Sequence, residues 1–312
     1  MRFLFLIFSF TAALFGQDGM KAAALFTALE GDVSVIRPPL PTPAQILGEL
    51  FPGDSLKTGA DGSATILYQD GKIVTINKNS GFVIAPPDSV RGDRRSENVN
   101  TIANNPGQLV ALIAEGEKIA ANLAVRGEDD SLALKVYEPG NTALFTGKPR
   151  FVWGLFPGAQ SYRVKIQRMG SDAWSVITVD TLLLYPENKP ELAAGTYLVR
   201  IAALTNENDT LGMTDRTIRI LTPESVDTVQ NSILRIQEQK PDTFTLHLLT
   251  AKIYENQKLR TDAIREYEVL LKLKPDLPFV HRALSILYKE SGLSLIANLH
   301  YDRYKELTAT EK

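Results

Sequence analysis

Near its C-terminus the chain repeats itself. Pro241-Asp242 returns as Pro275-Asp276, 34 residues later, and the same offset relates His247 to His281, Tyr254 to Tyr288, Leu259 to Leu293, Ala263 to Ala297 and Tyr267 to Tyr301. Ala251 maps onto Ser285, which is also small. A period of this length marks stacked helix pairs: each pair cannot bury its apolar face alone, and small residues at matching places let its two helices approach closely. Proline ends each unit because it cannot continue a helix. The pattern governs residues 223–312, where glycine nearly vanishes. A preceding helix over about 225–239, with Val226, Val229, Ile233 and Ile236 inward, is placed to cover the open end of the stack.

The rest of the chain reads as β-structure. Between 132 and 222 seven candidate strands follow one another: 132–137, 150–154, 162–168, 174–179, 182–185, 197–202 and 217–221. Tyr162, Val164 and Ile166 alternate with Arg163, Lys165 and Gln167; Tyr197, Val199 and Ile201 alternate with Leu198, Arg200 and Ala202. One buried and one wet face is the pattern of an antiparallel sheet, and seven such strands fit a β-sandwich. Residues 22–90 hold shorter runs punctuated by Gly31-Asp32, Gly53-Asp54, Asp61-Gly62 and Asp70-Gly71. These acidic residues are expected to shape turns rather than hold calcium. The clearest hairpin runs from Tyr68 to Ile73 around Asp70-Gly71. Pro38, Pro39, Pro41 and Pro43 suggest a loop. Residues 91–131 read as a linker with a possible helix after Pro106, where Leu109, Leu112, Ile113, Ile119, Ala120 and Leu123 have rough helical spacing; its Arg91-Gly92-Asp93 is a chance-level match to an adhesion tripeptide.

The first residues bound the location. Met1-Arg2 supplies one positive charge, Phe3 to Phe15 is almost wholly apolar, and Gly16-Gln17-Asp18-Gly19 is small and polar. That is the order of a secretory signal peptide, here 1–16. The run is shorter than the ~20 residues a bilayer-spanning helix needs, although an uncleaved anchor is the alternative. No later segment is apolar enough to span. The expected location is periplasmic or secreted. The chain of 312 residues has no cysteine, which removes disulfides, thiolate metal sites and cysteine catalysis. A formal net charge of -2 gives no general field for nucleic acid.

Three resemblances carry the reading further. Gly31-Asp32-Val33, then Leu50-Phe51-Pro52-Gly53-Asp54-Ser55-Leu56-Lys57-Thr58-Gly59, Asp61-Gly62-Ser63-Ala64 and Asp70-Gly71 resemble the FecR-like domain, implying a periplasmic or secreted β-domain over 22–90. The chain lacks that sensor's cytoplasmic anti-sigma segment, so a role in sigma-factor control is not implied. Trp153, Gly158–Tyr162 and Leu192-Ala193-Ala194-Gly195-Thr196-Tyr197 resemble an immunoglobulin or fibronectin type III domain over 132–222, with Tyr197 in the place of a tyrosine corner. The 34-residue units resemble tetratricopeptide repeats; the family's small residues match Ala251, Ser285, Ala263 and Ala297 and its aromatics match Tyr254, Tyr288, Tyr267 and Tyr301. Its early tryptophan position carries His247 and His281 instead, and its turn glycine occurs only as Gly292.

In that family the first helix of each pair lines a concave groove. The resemblance therefore points to Leu248, Lys252, Glu255 and Asn256, then Phe279, Arg282, Ile286 and Lys289, as a groove suited to an acidic peptide or a chain-terminal carboxylate; solvated helix faces are the plain alternative. Trp174 is a candidate glycan contact. No metal, cofactor or catalytic motif stands out: there is no His-Glu-x-x-His, no Gly-x-Ser-x-Gly, and no phosphate-cradling or dinucleotide glycine loop. The three histidines include two at equivalent repeat positions, which packing explains. Two units fall short of the roughly three such stacks normally need, so the array is expected to lean on the sandwich or on a partner. The expected class is a multidomain β-then-α protein. Its expected function is non-catalytic, as a scaffold or signalling/assembly adaptor for an envelope protein or peptide, with binding of peptidoglycan or another glycan as the alternative.

Overall fold

A computed structural model describes residues 22–37, 40–85, 134–169 and 171–309. The expected signal peptide, the 91–131 linker with its possible helix, and the start of the first sandwich strand lie outside them. Two β-units are followed by a run of five helices.

The N-terminal unit holds two four-stranded sheets. One has the order β4 (Glu49–Leu50), β1 (Ala24–Glu30), β6 (Ser63–Tyr68), β7 (Ile73–Ile76). The other runs β3 (Leu40–Pro43), β2 (Val33–Arg37), β5 (Ser55–Thr58), β8 (Gly81–Val83). Phe26, Ile66, Leu50, Leu56 and Val35 form the core. The β6–β7 hairpin is as expected: Tyr68 N–H donates to the Lys72 carbonyl at 2.9 Å, and Gly71 takes φ 85°, a left-handed value that glycine adopts without strain. The Gly31-Asp32 and Asp61-Gly62 turns meet. A β-carbon on Gly62 would run into the Asp32 carbonyl, so this approach requires glycine. The proline segment is not simply a loop. Residues 40–43 pair with β2 as an edge strand, the one place in a sheet where missing N–H groups are tolerated. Asp54 also does more than turn the chain: its side chain is 4% exposed, forks onto Arg37 at 2.6 and 2.8 Å, and accepts the Phe51 N–H.

The second unit is a two-sheet sandwich. A five-stranded sheet, in the order β10 (Thr142–Leu144), β16 (Thr210–Ile220), β15 (Gly195–Leu204), β12 (Ser161–Arg168), β13 (Ser171–Thr178), faces a three-stranded one, β14 (Leu182–Leu184), β11 (Arg150–Trp153), β9 (Val136–Glu138). Tyr162, Val164, Ile166, Tyr197, Val199 and Ile201 are buried, as their alternation predicts. Ala202 departs from it. It points outward yet is buried, lying between Arg163 and Met213 in the register. The short β10 has too little pattern to be read from sequence; it pairs in parallel with β16. The Tyr197 hydroxyl donates to the Ala193 carbonyl at 2.9 Å, tying strand β15 to the chain just before it, as the sequence suggested.

The helices are α1 (Pro223–Glu238), α2 (Thr243–Asn256), α3 (Arg260–Leu273), α4 (Pro278–Glu290) and α5 (Ser294–Ala309). Helices α2–α3 and α4–α5 form two equivalent hairpins, and α1 packs on α2 through Val229 and Ile236. Their turns match atom for atom. Leu259 N–H reaches the Tyr254 carbonyl and Leu293 N–H the Tyr288 carbonyl, at 2.9 and 2.8 Å. Gly292 takes φ 82° in the second turn, and Lys258, at the equivalent place in the first, takes φ 61°.

Both β-units brace this short array. At the hairpin turns, Arg219 and Arg216 of β16 donate to the Gln257 and Gly292 carbonyls at 3.0 and 3.1 Å. Cations there oppose the negative end of the helix dipole and satisfy carbonyls that have no helical partner. The Ala143 N–H bonds the Lys258 carbonyl. At the other end, Thr27 and Thr65 of the N-terminal unit meet Thr245 and Asp242, and Lys274 donates to the Leu29 carbonyl at 2.9 Å. The apolar core of the helices runs on into Leu25, Leu47 and Leu67 on one side and Ala143 and Leu221 on the other. The two helix hairpins are thus packed against the chain's own sheets at both ends.

Candidate partner-binding face of the helical array

The eight expected groove residues separate into two groups. On α2, Leu248 is fully buried in the shared core, and Thr245, one turn earlier on the same face, is hydrogen-bonded to Thr27 of β1. The N-terminal β-unit therefore occupies the start of that face, and Leu248 is not a groove residue. Lys252 is not one either. Its side chain is 13% exposed, its Nζ lies 2.9 Å from the Glu255 carboxylate, and it sits over the Tyr267 ring. Tyr267 in turn donates to Glu255 at 3.0 Å. Burial works against the lysine charge, but Glu255 and Tyr267 outweigh it and hold the ammonium above its usual range; burial, with Glu255 beside it, pushes the Tyr267 phenol up. This is a closed Lys–Glu–Tyr cluster inside the first hairpin. Asn256 is exposed at the end of α2.

On α4 the expectation fares differently. Phe279, Arg282, Ile286 and Lys289 fall on one helix face by their spacing, and all four are half-buried. The Arg282 guanidinium lies 5.8 Å from the centre of the Tyr304 ring on α5, a cation–π distance. Tyr304 was not singled out from sequence. It stands where the first hairpin has Leu270, so the offset places it while giving no sign of its contact. The α4 stripe combines apolar side chains with two cations.

The histidines extend the internal symmetry. His247 Nδ1 lies 2.6 Å from Glu266, and His281 Nδ1 lies 3.0 Å from His300 Nδ1. Glu266 and His300 are themselves equivalent under the 34-residue offset, so one interhelical polar position is used twice with different chemistry. His281 Nε2 faces the Pro275 carbonyl at 3.0 Å and must carry a proton there. In the neutral pair its Nδ1 therefore accepts from His300. Burial first, and His281 second, hold His300 below the usual histidine range. His300 stacks on Tyr288, whose hydroxyl donates to Glu268 at 2.7 Å. Each of these groups is accounted for by a neighbour. Among the described residues no cluster of three or more His, Asp or Glu side chains is arranged to hold a metal ion, and no helix is long and apolar enough to cross a membrane.

Trp174 does not present a free ring. It stacks on Phe151 at 5.9 Å and meets Tyr185 at 5.3 Å, bridging the two sheets of the sandwich along one side. The exposure that made it a glycan candidate is taken up internally. Trp153 is buried against Tyr162, as expected of a core residue.

No family model and no curated protein matches this chain. Solved structures that match include a crystal structure of FN3tt, 13% identical, covering 28% of this chain and 85% of that one at a TM-score of 0.20. Another is a structure of the fibronectin(III)-like modules of Clostridium thermocellum CbhA, 8% identical, covering 66% of this chain and 81% of that one at a TM-score of 0.21. These are weak, low-identity similarities to fibronectin(III)-like modules.

Proposed function

We propose that this is a non-catalytic protein of the bacterial envelope, periplasmic or secreted, that binds a protein or peptide partner through its helical array. In this reading the parts are a FecR-like β-domain, an immunoglobulin/fibronectin III-like sandwich and two tetratricopeptide-like hairpins, and export follows from the N-terminal sequence. The observation that carries it is the half-buried α4 stripe of Phe279, Arg282, Ile286 and Lys289, held on an array braced from both ends. A braced array loses little freedom on binding, which favours affinity. Two cations beside apolar side chains suit an acidic peptide or a terminal carboxylate.

The test is affinity capture from envelope extract with the wild-type chain and with Arg282→Glu/Lys289→Glu. One partner enriched by the first and lost by the second supports the reading. Equal capture by both removes the α4 stripe from the account. Lys252 is left untouched, because it belongs to the buried cluster inside the first hairpin.

A further inference from the structure

The C-terminal helix is lightly held. Of the sixteen residues of α5 only Ala297 is buried, against seven of the thirteen in α4. An element with so few buried contacts opens on its own more readily than the core it lies on. Its polar fastenings to α4 and to the loop before α4 are therefore a large part of what keeps it in place. They are His300 on His281 at 3.0 Å, Tyr304 against Arg282 at 5.8 Å, and Arg303 on Asp276 at 2.6 Å.

The histidine contact differs from the other two in having room for one hydrogen only. The two Nδ1 atoms are 3.0 Å apart, and His281 Nε2 is committed to the Pro275 carbonyl at 3.0 Å. The two ring nitrogens without a hydrogen are then His281 Nδ1 and His300 Nε2. A first added proton goes to His300 Nε2 and makes a half-buried imidazolium stacked on Tyr288. A second would set two N–H groups head to head across the gap, so the rings part. The groups around the pair do not relieve this. Arg282 follows His281 on α4 and is itself a cation. Glu268 of α3 favours a proton on His300 but is outweighed by burial and by His281, and it already accepts the Tyr288 hydroxyl at 2.7 Å. Asp276, beside Pro275, is neutralised by Arg303. The first hairpin has Glu266 where the second has His300, and that carboxylate receives a protonated His247 as an ion pair.

We propose that His281 and His300 form an acid-sensitive fastening: the neutral pair holds α5 on α4, and its protonation releases α5 while the α2–α3 hairpin stays in place. Release withdraws Tyr304 from Arg282, so the α4 stripe changes with it. The fastening does not rest on the partner binding proposed for that stripe. The sign follows from proton uptake. A released α5 leaves both imidazoles to titrate near the ordinary ~6.5. Below that pH the fastened pair binds fewer protons than the released one, so attachment is complete above it and is lost progressively as pH falls. Each proton that the fastened pair refuses favours release about thirtyfold at pH 5.

The experiment is amide hydrogen exchange of the full chain from about pH 8 to about pH 5, a range above the titration of ordinary carboxylates, with each rate divided by the intrinsic rate at that pH. The expected result is that protection of α5 falls about tenfold or more relative to α2 and α3. His300→Gln abolishes the fall, because its amide turns either an N–H or a carbonyl to His281 and meets it in both protonation states. His300→Glu, which copies Glu266, abolishes it too. Protection of α5 that tracks that of α2 and α3 over the whole range overturns the proposal, and this comparison needs no variant. An acid loss equally large in folded His300→Gln also overturns it, since that assigns the loss to other groups.

Discussion

Replacing Lys252 by methionine keeps the length of the stem and removes the charge from the cluster in the first hairpin. The Nζ–carboxylate distance of 2.9 Å corresponds to a gross attraction of roughly 6 kcal/mol at an effective dielectric of 20. The cost of desolvating both groups offsets much of this. What the substitution leaves behind is the Glu255 carboxylate beside a buried phenol. Removing one partner of a fully buried pair costs about 3–5 kcal/mol; the Glu255 side chain keeps 24% exposure, which brings the expectation to about 2–3 kcal/mol. Glu255→Gln is expected to cost a similar amount, and the double variant less than the sum, with a coupling of about 1–2 kcal/mol. The second hairpin already carries Ile286 at the position equivalent to Lys252, so an apolar stem there is compatible with the helix pair. Urea unfolding followed by far-ultraviolet circular dichroism reports on the helices and measures the cycle. If Lys252→Met cost less than about 0.5 kcal/mol, as for exposed pairs, the lysine would be solvated after all and its assignment to the interior refuted.

The same cluster predicts an alkaline transition. Lys252 and Tyr267 both have folded pKa values raised above their unfolded ones. Their stabilisation is complete below the unfolded values near ~10 and is lost as pH rises beyond them, because the unfolded chain releases these protons first; Tyr267→Phe should flatten part of the fall in unfolding free energy above about pH 10. Lys258→Gly should stabilise the first hairpin by about 0.5–1 kcal/mol, since a side chain at φ 61° is strained and glycine is not; a loss of stability on thermal unfolding would show that the lysine stem matters more than the backbone. Tyr197→Phe deletes the bond to the Ala193 carbonyl and should cost the sandwich about 1–2 kcal/mol, with faster hydrogen exchange at the start of β15; unchanged exchange would mean that this bond does not hold the strand's start.

How far the sequence could be read depended on whether local chemistry or distant neighbours governed each position. The 34-residue offset located both hairpins and their turns, because helix-pair packing repeats the same demands at the same places. Strict alternation placed the inner faces of β12 and β15, and Asp-Gly placed the β6–β7 turn. Ala202, pointing outward, is buried by neighbours on other strands that alternation cannot see. β10 is three residues long and has no period to detect. The edge strand at 40–43 looked like a loop because prolines forbid a central strand and permit an edge, and which of the two applies depends on where the sheet ends.

The candidate site was less legible for the same reason. Repeat equivalence gave Leu248 and Arg282, or Lys252 and Ile286, the same standing as first-helix residues. Only the assembled chain distinguishes them, because β1 is laid on the first hairpin and not on the second. The sequence alone determined the kinds of element, their order and the internal symmetry of the C-terminal third, since these follow from periodicity, turn chemistry and side-chain size within a few residues. The tertiary structure decided which faces remain open. That choice rests on contacts between residues more than a hundred positions apart, such as Thr27 with Thr245 and Arg260 with Thr142, and burial set by such contacts leaves no trace in the local pattern of either segment.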